Sequence, residues 1–405
     1  MNFKAVNYMK TLNFFLFLLV LRSGVCAQEP VCGMNWLEAA ELQRGVPVDQ
    51  IKALFLNKLD SAVIKGNSEL AFRSDVIIPV VVHVVWSTPE ENLTDRQVLE
   101  QIEMLNQDFN GKNRDLSDLP EEFKPFIAKE GIHFCLAAET PDGQPTSGIT
   151  RDKTDLEVVG TKEDLYGIAP AWDTERYLNI WVANTGDFLT GYGTYPGLVP
   201  PERQGVVVHP KYVGYNESIR YNLGRVAVHE IGHYFGLDHT WGSDEACETD
   251  DGVDDTPLQQ HSYKGCPAHP QTTCGSDDIF MNFMDYVDDG CMVMFTQGQM
   301  ERMLATIEMY RPGLMNNDIS YIQVTNDTSG KVFTIYPNPA IEEVKIRFEE
   351  PVMTSGLVSI YNSIGQLMKR ERRVIFDGMT ITLPDMPTGI YWLRIGDKSG
   401  KLIRK

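Results

Sequence analysis

The chain has 405 residues, 42% of them hydrophobic and 23% charged, an ordinary globular balance with room for two or three domains. Its formal charge of -20 excludes nucleic acid as a natural partner, because a phosphate backbone would be repelled. Acidity of this size fits solubility, bound calcium or basic substrates.

The first residues read as an address. Lys4 and Lys10 precede an apolar run from Leu12 to Leu21, and Val25-Cys26-Ala27 supplies a cleavage site, so residues 1–27 are expected to be a signal peptide cut after Ala27. A lipid anchor on Cys26 is the weaker reading, since Val25 is bulky where such signals carry a small residue. The run is too short to span a membrane, and no later segment reaches that length. An exported protein with no transmembrane segment in its mature form is expected.

Residues 28–73 form a short segment with a helical pattern over Val48–Val63, marked by Ile51, Leu54, Phe55, Leu59 and Val63. It breaks at Gly66-Asn67-Ser68. From Val76 to Val85 the chain is almost continuously apolar, as a strand buried on both faces must be. A helix capped by Thr94 follows, carrying Ile102 and Leu105 inward. Further strands are predicted at Ile132–Ala137, Leu178–Ala183 and Val206–His209. Interleaved strands and helices give an α/β (α+β) unit over residues 74–315.

The stretch His229-Glu230-Ile231-Gly232-His233-Tyr234-Phe235-Gly236-Leu237-Asp238-His239 carries the chemistry. Residues four apart stack on a helix, so His229 and His233 aim two nitrogens at one point with Glu230 beside them. Gly236 lets the chain turn sharply and return His239 to that point. Three neutral imidazoles and an open position describe a catalytic zinc site, and Glu230 is placed to act as general base on the attacking water. With 8 histidines in the chain, a chance match to the whole pattern is on the order of 10⁻⁵.

Export alters the cysteine arithmetic. Beyond Cys26 there remain Cys32, Cys135, Cys247, Cys266, Cys274 and Cys291, four of them clustered after the histidine motif. Their spacings contain no Cys-x-x-Cys pair, so two disulfides are expected there rather than a second zinc site. Cys32-Gly33 sits early in the segment expected to be a propeptide. Its thiolate could fill the fourth zinc position until that segment is cut, or Cys32 could pair with Cys135, or lie as a plain buried thiol. The first cut is expected at Arg73-Ser74.

The long histidine motif followed by Asn282-Phe283-Met284-Asp285-Tyr286 resembles the metzincin metalloproteases. Thr240-Trp241, Asp255-Thr256-Pro257, Asn282 to Tyr286 and the run from Cys291 to Met303 are similar to the pappalysin family in particular, a resemblance covering about residues 75–312. It implies a twisted sheet with an active-site helix, a hydrophobic Met-turn floor at Met284, and Tyr286 as partner of the tetrahedral oxyanion. It also implies calcium in the acidic run around Gly252, on Asp251 and Asp255 with the carbonyls of Val253 and Thr256, and the pairings Cys247 with Cys274 and Cys266 with Cys291. Residues after the Met-turn tyrosine commonly line the pocket for the side chain following the cut bond. Here they are Asp288 and Asp289, which would favour Arg or Lys. The expected protein is a zinc endopeptidase made as a zymogen and acting on protein or peptide substrates. The competing class is a binding or adhesion module with a vestigial zinc site.

After Met315 the character shifts. Residues 334–405 carry 11 basic and 8 acidic side chains, net +3, which leaves -23 for everything before them. Alternation in Val344-x-Ile346-x-Phe348, Val358-x-Ile360 and Tyr391-x-Leu393-x-Ile395 predicts a small all-β sandwich behind a linker at 316–333. Tyr336-Pro337-Asn338-Pro339, Tyr361-Asn362-x-x-Gly365 and the basic end resemble the C-terminal sorting domain of type IX secretion cargo. That resemblance implies the type IX secretion machinery as a partner and a secreted or cell-surface location.

Overall fold

A seven-stranded sheet organises the chain up to residue 315, and its strands are β1 (Val31–Cys32), β2 (Val76–Trp86), β3 (Ile132–Leu136), β4 (Ile149–Lys153), β5 (Leu178–Val182), β6 (Leu189–Gly193) and β7 (Val206–Val208). The computed structural model describes residues 31–64, 76–129, 131–216, 218, 220–242, 246–315, 333–348, 353–376, 379–395 and 398–405. The expected leader, the Arg73–Ser74 junction and nearly all of the linker lie outside the described residues. Strand order is β1-β6-β7-β5-β2-β3, with β4 continuing beside β2. Every pairing is parallel except β6 with β7. β2 pairs on both edges and is buried on both faces, which is why its sequence is a run rather than an alternation.

Helices cover this sheet. They are α1 (Met34–Gln43), α2 (Val48–Ile64), α3 (Asp95–Asp108), α4 (Asp164–Ile168), α5 (Arg225–Tyr234), α6 (Gln297–Tyr310) and α7 (Pro312–Met315). Thr94 and Gln97 form a reciprocal capping box at α3, and Thr296 and Gln299 form another at α6, each satisfying orphan amides of a first turn. Helix α1 escapes the sequence pattern because only Met34, Leu37 and Glu41 of it are buried, one of them a carboxylate. Buried Glu41 takes both terminal nitrogens of Arg203, at 3.0 and 3.1 Å.

Strand β6 is equally silent in the sequence, since Leu189-Thr190-Gly191-Tyr192-Gly193 holds two poor strand formers. Their purpose is proximity. A Cβ on Gly193 would stand 2.1 Å from the backbone oxygen of Glu230, and one on Gly191 would stand 2.5 Å from that of Val207. Only a bare backbone lets β6 lie this close to helix α5 and to β7.

The C-terminal residues form a separate all-β unit: β8 (Phe333–Tyr336), β9 (Glu343–Phe348), β10 (Met353–Asn362), β11 (Leu367–Phe376), β12 (Thr380–Thr382), β13 (Gly389–Ile395) and β14 (Lys398–Arg404). They make a four-stranded sheet, β11-β10-β13-β14, and a three-stranded one, β12-β9-β8. The predicted alternation appears as strict burial of Val344, Ile346 and Phe348 in β9 and of Tyr391, Leu393 and Ile395 in β13.

Gly193→Ala should lower stability by about 2 kcal/mol or more through overpacking against α5. Gly167→Ala, where an added Cβ meets nothing within 4 Å, should be neutral or slightly stabilising. Urea midpoints at constant slope check the pair.

Candidate active site

The site is assembled on α5 and the turn that ends it. The helix stops at Phe235, and Gly236 adopts φ +84°, a left-handed conformation that reverses the chain within one residue. That reversal returns His239 to the face already carrying His229 and His233. The Nδ1–H of His229 donates to the Phe283 carbonyl at 2.7 Å, and the Nδ1–H of His233 to that of Leu237 at 2.8 Å. A carbonyl can only accept, so both rings must carry their proton on Nδ1 and turn a bare Nε2 lone pair inward. His233 Nε2 lies 3.1 Å from His229 Nε2 and 3.2 Å from His239 Nε2. Burial holds all three imidazoles well below their ordinary range, His233 at about 3, so they stay neutral. The two inward lone pairs of His229 and His233, 3.1 Å apart, repel one another unless a cation sits between them, and together with His239 this donor set could hold a metal ion. Trp241 stacks on His239 at 4.4 Å between centroids and fixes its ring plane.

Glu230 is fully buried on the same helix, and burial pushes its carboxyl up to about 8. Its Oε1 has no partner, while Oε2 accepts the Cys32 thiol at 3.6 Å. Cys32 is not disulfide-bonded, and its Sγ lies 3.5 Å from His233 Nε2. Of the three readings the sequence left open for it, pairing with Cys135 is therefore the one the structure overturns: β1 carries the thiol to the imidazoles. Burial and the Glu230 charge push that thiol upward. Tyr286 packs its ring on His229 and His239, with centroids 5.8 and 4.9 Å apart. Met284 lies beneath, where a Cβ on Gly232 would meet its sulfur at 2.5 Å.

Several supporting residues carry no motif that reveals them. Asp285 is wholly buried between Met284 and Tyr286, and accepts from Gln259 Nε2 at 2.6 Å, Tyr263 N at 2.7 Å and Tyr286 N at 2.6 Å. It ties the Met-turn to the cysteine-rich insert, with burial pushing it up to about 7. Arg302 donates from Nε to the Gly236 carbonyl and from Nη1 to the Gly252 carbonyl, both at 3.0 Å, joining the histidine turn to the acidic loop. Arg225, at the start of α5, is clamped by Asp108 and Asp115.

The two expected pocket acids differ. Asp288 pairs with Arg220 at 3.0 Å, and Arg220 lines the cleft beside Glu230 and Tyr286. Asp289 is fully buried, and its Oδ2 accepts the amides of Leu223 and Arg225 at 2.8 and 3.1 Å, capping the α5 end; its Oδ1 has no partner. Neither aspartate is among the residues lining the cleft.

In the acidic loop, Asp251 Oδ1 accepts from Val253 N and from the Thr256 hydroxyl, which also reaches the Val253 carbonyl at 2.7 Å. Asp251 Oδ2 and Asp255 Oδ1 are buried and unpartnered, and burial pushes Asp251 up to about 7. Disulfides join Cys247 to Cys274 and Cys266 to Cys291.

A helix-borne His-Glu-x-x-His, a glycine-turned third histidine and a methionine floor define a metalloprotease of the metzincin class. The chain belongs to the pappalysin family. The sequence profile described as pregnancy-associated plasma protein-A matches residues 162–308, and that of the secretion system C-terminal sorting domain matches residues 334–405. An extracellular metalloprotease of Arthroderma otae is 27% identical over 309 residues, 75% of this chain and 99% of the relative. Mature mirolysin of Tannerella forsythia, solved with a cleaved peptide, is 38% identical, with TM-score 0.56 over 60% of this chain and 100% of that one. A promirolysin mutant from the same organism is 36% identical, with TM-score 0.61 over 69% of this chain and 95% of that one. The protein is thus a metalloprotease that is secreted or held at the cell surface. Among the described residues no helix is long and apolar enough to cross a membrane.

Asp285→Ala would remove the acceptor of one buried Gln259 N–H and of the partly buried Tyr263 and Tyr286 amides, and should lower stability by about 2 kcal/mol or more, read from urea unfolding.

Proposed function

We propose that this chain is a zinc-dependent endopeptidase made as a zymogen, with zinc held by His229, His233 and His239. The convergence of three Nε2 atoms, two of them bared by carbonyls on the far side of their rings, beside an unpaired, buried Glu230 oxygen carries the reading. Zinc bound there would act as a Lewis acid on the scissile carbonyl and would acidify the attacking water. Glu230 takes the proton from that water and returns it to the leaving amine. The Tyr286 phenol donates to the oxyanion as it develops. Glu230→Ala should lower peptide hydrolysis at least about a hundredfold, and a chelator should abolish it reversibly. Full activity in either case, measured on a quenched peptide, would sink the proposal. A binding module with a vestigial site is not favoured, because ligands, base and tyrosine are all in place.

The proposed organisation is a signal peptide at 1–27, a prosegment at 28–73, a catalytic domain at 74–315, a linker at 316–333 and a sorting domain at 334–405 that engages the type IX secretion machinery. Cys32 is proposed as the latency residue. What supports this is that strand β1 runs parallel to β6 and that the Cys32 thiol and the three imidazole nitrogens all lie within 4.8 Å of one another. Cobalt-substituted zymogen should show a thiolate-to-metal absorption band that Cys32→Ser removes.

Substrates are proposed to carry Arg or Lys after the cut bond. The support is indirect: Asp288 pairs at 3.0 Å with Arg220, a cleft residue, and the neighbouring Asp289 keeps an unpartnered Oδ1, although neither aspartate itself lines the cleft. Peptides differing only at that position should be cut faster with Arg than with Leu, and Asp289→Asn should shrink the ratio about tenfold. Equal rates for Arg and Leu in the native enzyme would refute the preference.

Calcium is proposed to bind the two orphaned carboxylate oxygens of Asp251 and Asp255, with the carbonyls of Val253 and Thr256 as further ligands. At a hundred times its Kd it should add about 2.7 kcal/mol of stability. Asp255→Asn should erase that gain in calcium-dependent melting.

A further inference from the structure

Among the described residues of the prosegment, Val31 and Cys32 line the active cleft, yet its buried aromatic contacts lie elsewhere. Helix α2 packs along α6 and presses one aromatic ring against the turn between the second and third histidines. Phe55 is 2% exposed, its ring 4.8 Å from that of Tyr195 and 5.0 Å from that of Tyr310. It fills the notch left by Gly236, where a Cβ would stand 2.5 Å from Phe55 Cζ. One turn earlier, the Lys52 ammonium lies 3.3 Å from Asp238 Oδ1, 2.9 Å from Glu38 Oε1 and 5.2 Å over the Tyr195 ring. Gly236 and Asp238 belong to the stretch that delivers His239. The helix therefore grips the outside of the histidine turn while the cysteine occupies its inside.

We propose that this outer face is a second recognition surface for the prosegment, independent of Cys32. Its ligand is an amphipathic helix bearing a cation and, three residues on, an aromatic ring. The aromatic notch of Tyr195, Tyr310 and Gly236 supplies apolar burial, and Asp238 supplies charge complementarity. A chain cut between residues 64 and 76 keeps its prosegment seated through α2 even when the thiol is gone. Activation then requires α2 to be dislodged or digested, beyond the first cut. The inference rests on the reading of His229 to His239 as the zinc site only for its regulatory meaning, because binding itself needs neither metal nor turnover.

The test uses the full chain with Glu230→Ala to prevent self-digestion and a specific protease site placed within residues 66–73. After cutting, prosegment dissociation is followed by size exclusion and by a fluorophore on the prosegment. Cys32→Ala should leave the prosegment co-eluting with the body. Phe55→Ala should speed its release at least about a hundredfold. Lys52→Asp should also loosen it, and Asp238→Lys in the same chain should restore retention, an outcome that a misfolded variant could not give. Release at the native rate in both Phe55→Ala and Lys52→Asp, or immediate release in Cys32→Ala alone, overturns the second surface. Because no step depends on catalysis, failure of the peptidase reading would show separately in the chelator experiment.

Discussion

Three neutral imidazoles aimed at one point from a buried site are an arrangement that a protein must hold by force, since the inward lone pairs of His229 and His233, 3.1 Å apart, repel without a cation. The structure supplies that force through the far side of each ring and through the backbone that carries it. Carbonyls of Phe283 and Leu237 lock two tautomers, Trp241 clamps the third ring, and Arg302 braces the turn. Much of the catalytic unit can be understood as the scaffold for these few constraints. The sheet places β6 against α5, Asp289 caps that helix, and Asp285 fixes the segment that carries Met284 and Tyr286.

What was readable in the sequence follows a physical rule. The metal-binding helix, the Thr94-capped helix, the central strand and the alternating strands of the C-terminal unit all announce themselves by local periodicity or spacing. Strand β6 and helix α1 do not. Each is defined by a long-range demand, a bare backbone beside Glu230 in one case and a buried ion pair with Arg203 in the other. Asp285, Arg225 and Arg302 are silent for the same reason: apart from the adjacent Tyr286 amide on Asp285, the partners named for them lie 22 to 117 positions away. Charge at Asp288 and Asp289 was legible, but not that one aspartate would bond an arginine and the other cap a helix.

The cysteine-rich insert shows how extracellular chemistry and catalysis share one loop. Its two disulfides anchor a region poor in regular structure, and within it Gln259 and Tyr263 reach the Asp285 carboxylate. A covalent staple on the rim thus stiffens the floor of the site. Such a device suits a protein that leaves the reducing interior of the cell.

The pairing of β1 with β6 also bears on solubility. Without β1, strand β6 ends the sheet with a row of unsatisfied amides and carbonyls. An open edge of that kind is a seat for any extended peptide, including the same edge on another molecule. With β1 in place that edge is closed, and on the proposed zymogen organisation the exported chain would travel in this state. On that organisation, removal of the prosegment would open, in one event, the groove for substrate and a surface for self-association. The strand left behind is short and glycine-broken, and the body that bears it is strongly acidic. Mutual repulsion between mature molecules would then take over the guarding of the edge from the departed segment.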